Sequence, residues 1–294
     1  MGVVLADLGG TNLRLSYADT PSDISTFLIR DHGSFESILS RFMPDPASLY
    51  LASAITPLGG IIEDKRFTDT SHWRIDLNEL GRKTRITVLN DLEAAAYGLH
   101  RIDVSSLPHL LKPSAEQTQF VLPPKILVSI GTGIGHAFIH ERTGWPPLVQ
   151  RTHGGWIMPF GVTQEHEQVI RNLHAAKDRG RDLIIEDIVS GHGLWMLQDL
   201  YGKERSLRLY WEFLALYCNT LATVSGGYGG IYLTGGIIDD MVADSSFLPD
   251  VFREFFIRPL AASVVESLCA TPVYYCHDVN LPILGLSEYR KAHG

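Results

Sequence analysis

The chain has 294 residues, 45 % of them hydrophobic and 20 % charged, which is enough length for two domains and enough apolar material for large cores. Acids outnumber bases 33 to 25, giving a net charge of −8 with no basic block, and this excludes an electrostatically driven nucleic-acid partner. No apolar run reaches the roughly 18 residues of a membrane span. The three cysteines (Cys218, Cys269 and Cys276) form no CxxC pair, so disulfides and structural zinc are not expected and a reducing, cytoplasmic compartment fits.

Strand patterns begin almost at the first residue, without the basic start and apolar core of a secretory leader. The spacing predicts strands at 3–8, 12–18, 25–30, 48–53, 60–67 and 85–89, with a short helix near 34–43. The first two strands enclose Asp7-Leu8-Gly9-Gly10-Thr11-Asn12. Two readings are open there. Gly-Gly with Asn suits a β-hairpin turn. The same residues suit a phosphate cradle, in which backbone without side chains approaches an anion and the Asp serves its metal.

Residues 90–102, NDLEAAAYGLHRI, read as a helix with Asn90 or Asp91 at its cap and alanines behind. Residues 103–124 carry Pro and Ser without periodicity and read as a connection. At 125–140 a strand, a glycine turn and a strand return, and Leu127-Val128-Ser129-Ile130-Gly131 aligns without a gap on Leu5-Ala6-Asp7-Leu8-Gly9. That weak repeat implies two related lobes. Helical patterns fill 163–226, GIYLTGGII (230–238) supplies a strand with another glycine pair, helices follow near 247–267, and a strand at 272–276 precedes a final amphipathic stretch. Strands followed by helices, twice over, indicate an α/β chain. His136 and His140 could share a strand face, but no carboxylate or Cys completes a metal-ligand spacing beside them. Tyr210, Trp211, Phe213, Leu214 and Tyr217 stand at helical spacing and read as core or subunit interface.

Four stretches, DLGGTN, LNDLEAAAYGL, SIGTGIG and LTGGI, each place Gly or a small polar residue directly after a β-rich run, where α/β proteins bind ligands. None matches the Walker pattern. In this order and spacing, together with DIVSGHGL (187–194) and HDVNLPILGL (277–286), they resemble the bacterial glucokinase family of the hexokinase and actin-like ATPase superfamily, over nearly the whole chain.

The resemblance implies a two-lobe α/β fold of the actin-like ATPase (ribonuclease H-like) kind with the active site in the interlobe cleft. The small lobe would be 1–105 with the C-terminal helix 281–294, and the large lobe 106–280. It implies transfer of the γ-phosphoryl group of ATP to the 6-hydroxyl of glucose or a glucose-like sugar, with Mg²⁺, by a cytoplasmic homodimer of carbohydrate metabolism. Asp7 would orient Mg²⁺ through water, and Gly9, Gly10, Thr11 and Asn12 would form the first phosphate loop, with Arg14 either a phosphate contact or a solvated strand charge. Gly131, Thr132 and Gly133 would form the second phosphate loop, and Gly235 and Gly236 would border the adenosine. Asp91, in the Asn90-Asp91 pair, would be the catalytic base and would be kept ionised by the helix N-terminus.

The sugar-binding pattern departs from the family. Where a Gly-Glu-Gly-Gly-His segment is expected, the chain reads Thr152-His153-Gly154-Gly155-Trp156, so His153 replaces a Glu and Trp156 a His. Thr70 stands where Asn is expected, whereas Trp73 and a second sugar-binding Glu, Glu186, match. Phosphate chemistry reads as intact and sugar recognition as altered. The rival readings are a kinase for another hexose or an amino sugar, and a sugar-responsive regulator with little turnover.

Overall fold

Val4, Leu5, Ala6 and Leu8 lose all or nearly all contact with solvent because their strand lies inside a sheet covered on both faces, which is why the segment is a continuous apolar run. In the computed structural model, which describes residues 2–63, 73–113, 124–177, 180–258, 261–277 and 280–294, this run is β1 (Val3–Leu8). The chain divides into two compact units, residues 1–102 with 279–294 and residues 103–278.

In the first unit β1 is followed by β2 (Asn12–Tyr17), β3 (Thr20–Leu28), α1 (Phe35–Phe42), β4 (Ser48–Ser53), β5 (Ile61–Glu63), β6 (Arg74–Asp76), α2 (Leu77–Leu80), β7 (Arg85–Asn90) and α3 (Asp91–Leu99). Five of the strands form a sheet in the order β3-β2-β1-β4-β7, with β1, β4 and β7 parallel and β2 and β3 antiparallel. Its core gathers Leu8, Leu13, Leu15, Phe35, Leu49, Leu51 and Trp73. The Trp73 indole N–H donates to the His32 carbonyl at 3.2 Å. The C-terminal helix (Leu281–His293) lies on α3 at backbone contact: a Cβ at Gly285 would stand 1.6 Å from the Ala94 carbonyl oxygen.

The second unit contains β8 (His109–Leu111), β9 (Lys125–Ile130), β10 (Ile134–Arg142), β11 (Trp145–Arg151), α4 (Gln164–Ala176), α5 (Gly191–Tyr201), α6 (Lys203–Ser225), β12 (Ile231–Thr234), α7 (Gly236–Ala243), α8 (Pro249–Phe256), α9 (Ala262–Ala270) and β13 (Val273–Tyr275). The C-terminal helix is α10. The sheet order is β11-β10-β9-β12-β13-β8, with β9, β12 and β13 parallel and the others antiparallel. Apart from β8 this is the same topology as in the first unit, so the five-residue repeat marks two equivalent hairpins. Helix α6 threads the core, burying Leu209, Tyr210, Trp211, Phe213, Leu214 and Tyr217.

Some elements differ from the sequence expectations. The third strand runs over Thr20–Leu28 rather than 25–30; it is a sheet edge, and its exposed polar residues hide the pattern. The 103–124 connection contains a 3-10 turn at Val104–Ser106 and β8, and its residues 114–123 lie outside the described residues, as do Thr70 and the part of the 60–67 strand beyond Glu63.

Candidate active site

The first group of residues sits where the parallel strands of the first unit end, the usual ligand position in such sheets. Asp7 is the penultimate residue of β1, only 3 % exposed, and faces Arg14 across the β1–β2 pair. Arg14 Nη1 donates to Asp7 Oδ2 at 2.9 Å, so Arg14 is engaged in an internal ion pair. Even so, the Asp7 carboxyl is pushed up to about 6. Burial is the main cause, Arg14 works against it, and the charge of Asp91 adds to it.

Between β1 and β2 the turn is closed by the Gly9 N–H donating to the Asn12 carbonyl at 3.0 Å. Gly10 and Thr11 are exposed at its tip, and a Cβ at Gly10 would meet nothing. This turn leaves open space in front of its backbone.

Asn90 ends β7 and caps α3, its Oδ1 accepting the Leu92 N–H at 3.1 Å. That leaves Asp91 as the first helical residue, half-buried, with Oδ1 accepting the same N–H at 2.8 Å. The resemblance implies an ionised Asp91, and the shift found at this carboxyl is upward. Burial raises it above the usual carboxylate range, outweighing the hydrogen bonds from the Leu92 and Asp91 backbone and the Asn90 side chain.

In the second unit three glycine positions come together. Gly131, Thr132 and Gly133 join β9 to β10, with the Gly131 N–H donating to the Gly133 carbonyl and the Gly131 carbonyl accepting the Gly191 N–H, both at 2.9 Å. Gly191 starts α5, and a Cβ there would lie 3.1 Å from Ile237 Cδ1 in α7. Gly235 follows β12 with φ +102°, and a Cβ would stand 2.3 Å from the Ile130 carbonyl oxygen, so no other residue fits. The backbones of Gly131 and Gly236 face open space. Two helix N-termini thus begin beside one turn, an arrangement that favours anions.

The third group surrounds the Thr152–Trp156 segment, which forms a 3-10 turn at Gly154–Trp156 after β11. His153 is exposed and Trp156 is 66 % exposed, with the Arg181 guanidinium 5.9 Å from its ring centroid. A neighbouring 3-10 turn, Ile185–Asp187, carries Glu186 and is bound to the first through the Ile185 N–H donating to the Ile157 carbonyl at 2.8 Å. Glu186 Oε2 accepts the Ile134 N–H at 3.1 Å and would lie 2.5 Å from a Cβ at Gly133, so Glu186 borders the Gly131–Gly133 turn as well.

Three residues that the sequence reading missed hold this turn. Arg181 Nη1 and Nη2 each donate to Asp187 at 3.0 Å, the Ile184 N–H donates at 2.9 Å, and Lys177 completes an ion pair with the same carboxylate. Burial alone would raise the Asp187 carboxyl, but Lys177, Ile184 and Arg181 hold it below its ordinary range. Their signal in the sequence is only an acid six to ten residues after basic ones. Among the described residues no group of three or more His, Cys, Asp or Glu side chains could cage a metal ion.

A family model described as glucokinase matches residues 4–206. The glucokinase of Marinobacter nauticus is 26 % identical, with 97 % of this chain and 96 % of that protein covered. The crystal structure of a glucokinase from an Antarctic psychrotroph superposes with a TM-score of 0.76 at 20 % identity, covering 98 % of both chains. That of the Balamuthia mandrillaris glucokinase in complex with glucose gives 0.72 at 21 % identity, covering 100 % of this chain and 94 % of that one. The fold is the actin-like ATPase fold of these kinases.

Proposed function

The chain belongs to the glucokinase family, and from that membership we propose that it is an ATP-dependent sugar kinase transferring the γ-phosphoryl group of ATP to the 6-hydroxyl of glucose or a glucose-like hexose. The observation that carries this reading at the residue level is the pair of carboxylates, Asp7 near the end of β1 and Asp91 at the start of α3, both held above the ordinary range, with the charge of Asp91 adding to the rise at Asp7. Phosphoryl transfer needs one carboxylate to orient and deprotonate the attacking hydroxyl and an anionic place for the metal that accompanies the nucleotide.

In this reading Asp91 accepts the proton of the 6-hydroxyl, and Asn90 orients the sugar beside it. Its raised affinity brings it nearer the working pH, which suits a general base. The turn Gly9, Gly10, Thr11, Asn12 and the turn Gly131, Thr132, Gly133 donate backbone N–H groups to phosphate oxygens, and Gly235 and Gly236 border the adenosine. One buried carboxylate without a cage of further ligands among the described residues fits Mg²⁺, which keeps much of its water and binds with substrate phosphates, so Asp7 would hold it through water. Bound there, the ion would neutralise charge on the β- and γ-phosphates. His153, Trp156 and Glu186 contact the sugar. A cytoplasmic homodimer is part of the proposal. Cys218 and Cys269 are free thiols, which suits a reducing compartment.

A second reading, a kinase for a different hexose or an amino sugar, is favoured by Trp156. Its exposed indole, backed by Arg181, offers an apolar face and one donor where the family places a histidine. The test is ADP release across a panel of hexoses and amino sugars, with the product's phosphate position read by NMR. A 6-phosphorylated sugar is expected. Absence of sugar-dependent ADP release across the panel would overturn the proposal.

A further inference from the structure

His136 lies in β10, 3 % exposed, beneath the turn that carries His153 and Trp156. Both edges of its ring are engaged. Nδ1 is 2.7 Å from Tyr217 Oη, and Nε2 is 2.8 Å from Thr152 Oγ1. Thr152 Oγ1 also accepts the Gly154 N–H at 3.1 Å. The imidazole therefore reaches the residues immediately before and after His153. The contact with Gly154 is as close as two groups can come, since a Cβ on Gly154 would fall 1.9 Å from His136 Cε1. Gly155 is pressed equally hard against β10, where a Cβ would stand 2.4 Å from the Ile134 carbonyl oxygen.

The other end of the network leads to Glu186. Tyr217 projects from α6, and its phenol is raised well above its ordinary range by burial first, with smaller contributions from Cys218 and from the carboxylate of Glu186. Burial also pushes His136 down to about 4, so at neutral pH the ring is uncharged, with one donor and one acceptor for its two partners. An apolar side chain would fill this core position without needing any partner. A satisfied polar group instead specifies one arrangement of the elements around it.

We infer that His136 is a positioning residue for sugar recognition: acting through Thr152 and Tyr217, it fixes where the turn presents His153 and Trp156 relative to Glu186. The inference rests on the reading of His153, Trp156 and Glu186 as sugar contacts. It assigns part of the specificity to a residue that touches no substrate, and it explains why the pair Gly154-Gly155 is kept although both flanking family residues have changed.

The test compares the parent with His136→Leu, which removes both bonds and keeps bulk, with His136→Gln, which keeps a donor and an acceptor, and with Tyr217→Phe, which removes a single oxygen. The sugar is the best substrate of the panel, and sugar affinity is also measured by calorimetry without ATP. His136→Leu is expected to raise the sugar KM and Kd by roughly 5- to 100-fold, the effect of leaving one or two buried polar groups unpaired. The KM for ATP should stay within about 2-fold of the parent, because His136 bonds directly to the Thr152–Trp156 segment and its network meets the Gly131–Gly133 turn only at Glu186, which the substitution leaves in place. His136→Gln should recover part of the loss, and Tyr217→Phe should move in the same direction by less. If His136→Leu fails to fold, Tyr217→Phe carries the test. A fall in melting temperature with sugar KM and Kd unchanged would make the network mere core and overturn the inference, as would a parallel rise in the KM for ATP. A parent that neither binds nor phosphorylates any sugar would instead overturn the kinase reading beneath it.

Discussion

Buried carboxylates in the two units behave in opposite ways. In the first unit Asp7 and Asp91 are both held above their ordinary range: Asp7 has one cation, Arg14, and the groups opposing burial at Asp91 are backbone N–H donors and the Asn90 side chain. In the second unit Asp187 and Glu212 are buried too, yet both are held below it. Asp187 is held by Lys177 and Arg181. Glu212 receives His166 Nε2 at 2.7 Å and Arg208 Nε at 2.8 Å, and these overcome the burial that would raise it. Burial opposes the charge at all four, and only at Asp187 and Glu212 do the neighbouring charges and hydrogen bonds outweigh it. Asp187 and Glu212 have their charges matched within the protein and act as struts. Asp7 and Asp91 are left short of positive charge at the place where a metal-bound nucleotide would bring it.

The largest effect that would break this contrast is expected at Asp91. Asp91→Asn keeps the shape and removes the proton acceptor, so turnover should fall roughly 10²- to 10⁴-fold while sugar affinity changes far less. Near-normal turnover in steady-state kinetics would place the base elsewhere. Next comes Asp187→Asn, which leaves Lys177 buried against a neutral side chain. A loss of about 3–5 kcal/mol in denaturant unfolding is expected. A loss under about 1 kcal/mol would show that Asp187 is no strut.

A carboxylate returned to the sugar segment should sharpen the comparison. His153→Glu combined with Trp156→His should raise kcat/KM for glucose by roughly 10- to 150-fold, the worth of one charge-assisted hydrogen bond. A parent already working on glucose with a submillimolar KM, or a poorer double mutant, would defeat the idea of an altered pocket.

The smallest effect is at Asp7. Its folded value, about 6, lies above the unfolded one near 3.9, so the folded state binds the extra proton between them. Stability from this group is therefore present below pH ~4 and lost as pH rises through about 6. Asp7→Asn should make the ligand-free protein more stable at pH 7.5 by about 1–2 kcal/mol, the loss of the Arg14 bond offsetting the rest. It should also flatten the decline between pH ~4 and ~6. Unfolding curves at several pH values check this, and an Asp7→Asn protein less stable than the parent at pH 7.5 would contradict it.

What could be read from the sequence follows the range of the interactions. β1, β4, β9 and β12 are buried runs, and their burial is written in consecutive residues. The cap on α3 is equally local, and the structure decides between its two candidates in favour of Asn90. β11 escaped because Gly144 and Pro146-Pro147 look like a loop; it is an edge strand, where a missing N–H need not interrupt a ladder. The glycines of the two turns are legible as places without side chains, but Gly133 is faced by Glu186, a partner 53 positions away that no local pattern announces. The His136–Tyr217 bond spans 81 positions, and the Asp187 clamp depends on how a loop folds back. The direction of a carboxyl's shift is a sum over such partners, which is why Asp91 could be located in the sequence and its proton affinity could not.

The packing of α10 on α3 has a consequence for the order of events during synthesis. Residues 281–293 complete the unit that begins at residue 2, and the backbones of Gly98 and Gly285 lie too close to those of the opposing helix for any Cβ. The second unit, residues 103–278, is therefore fully translated before the first has all its parts, although domains generally fold from the N-terminus onward as they emerge. Until α10 arrives, the face of α3 made by Ala94, Tyr97 and Gly98 is uncovered. A nascent chain stalled anywhere before residue 281 exposes that face to chaperones and has Asp91 on an unsupported helix.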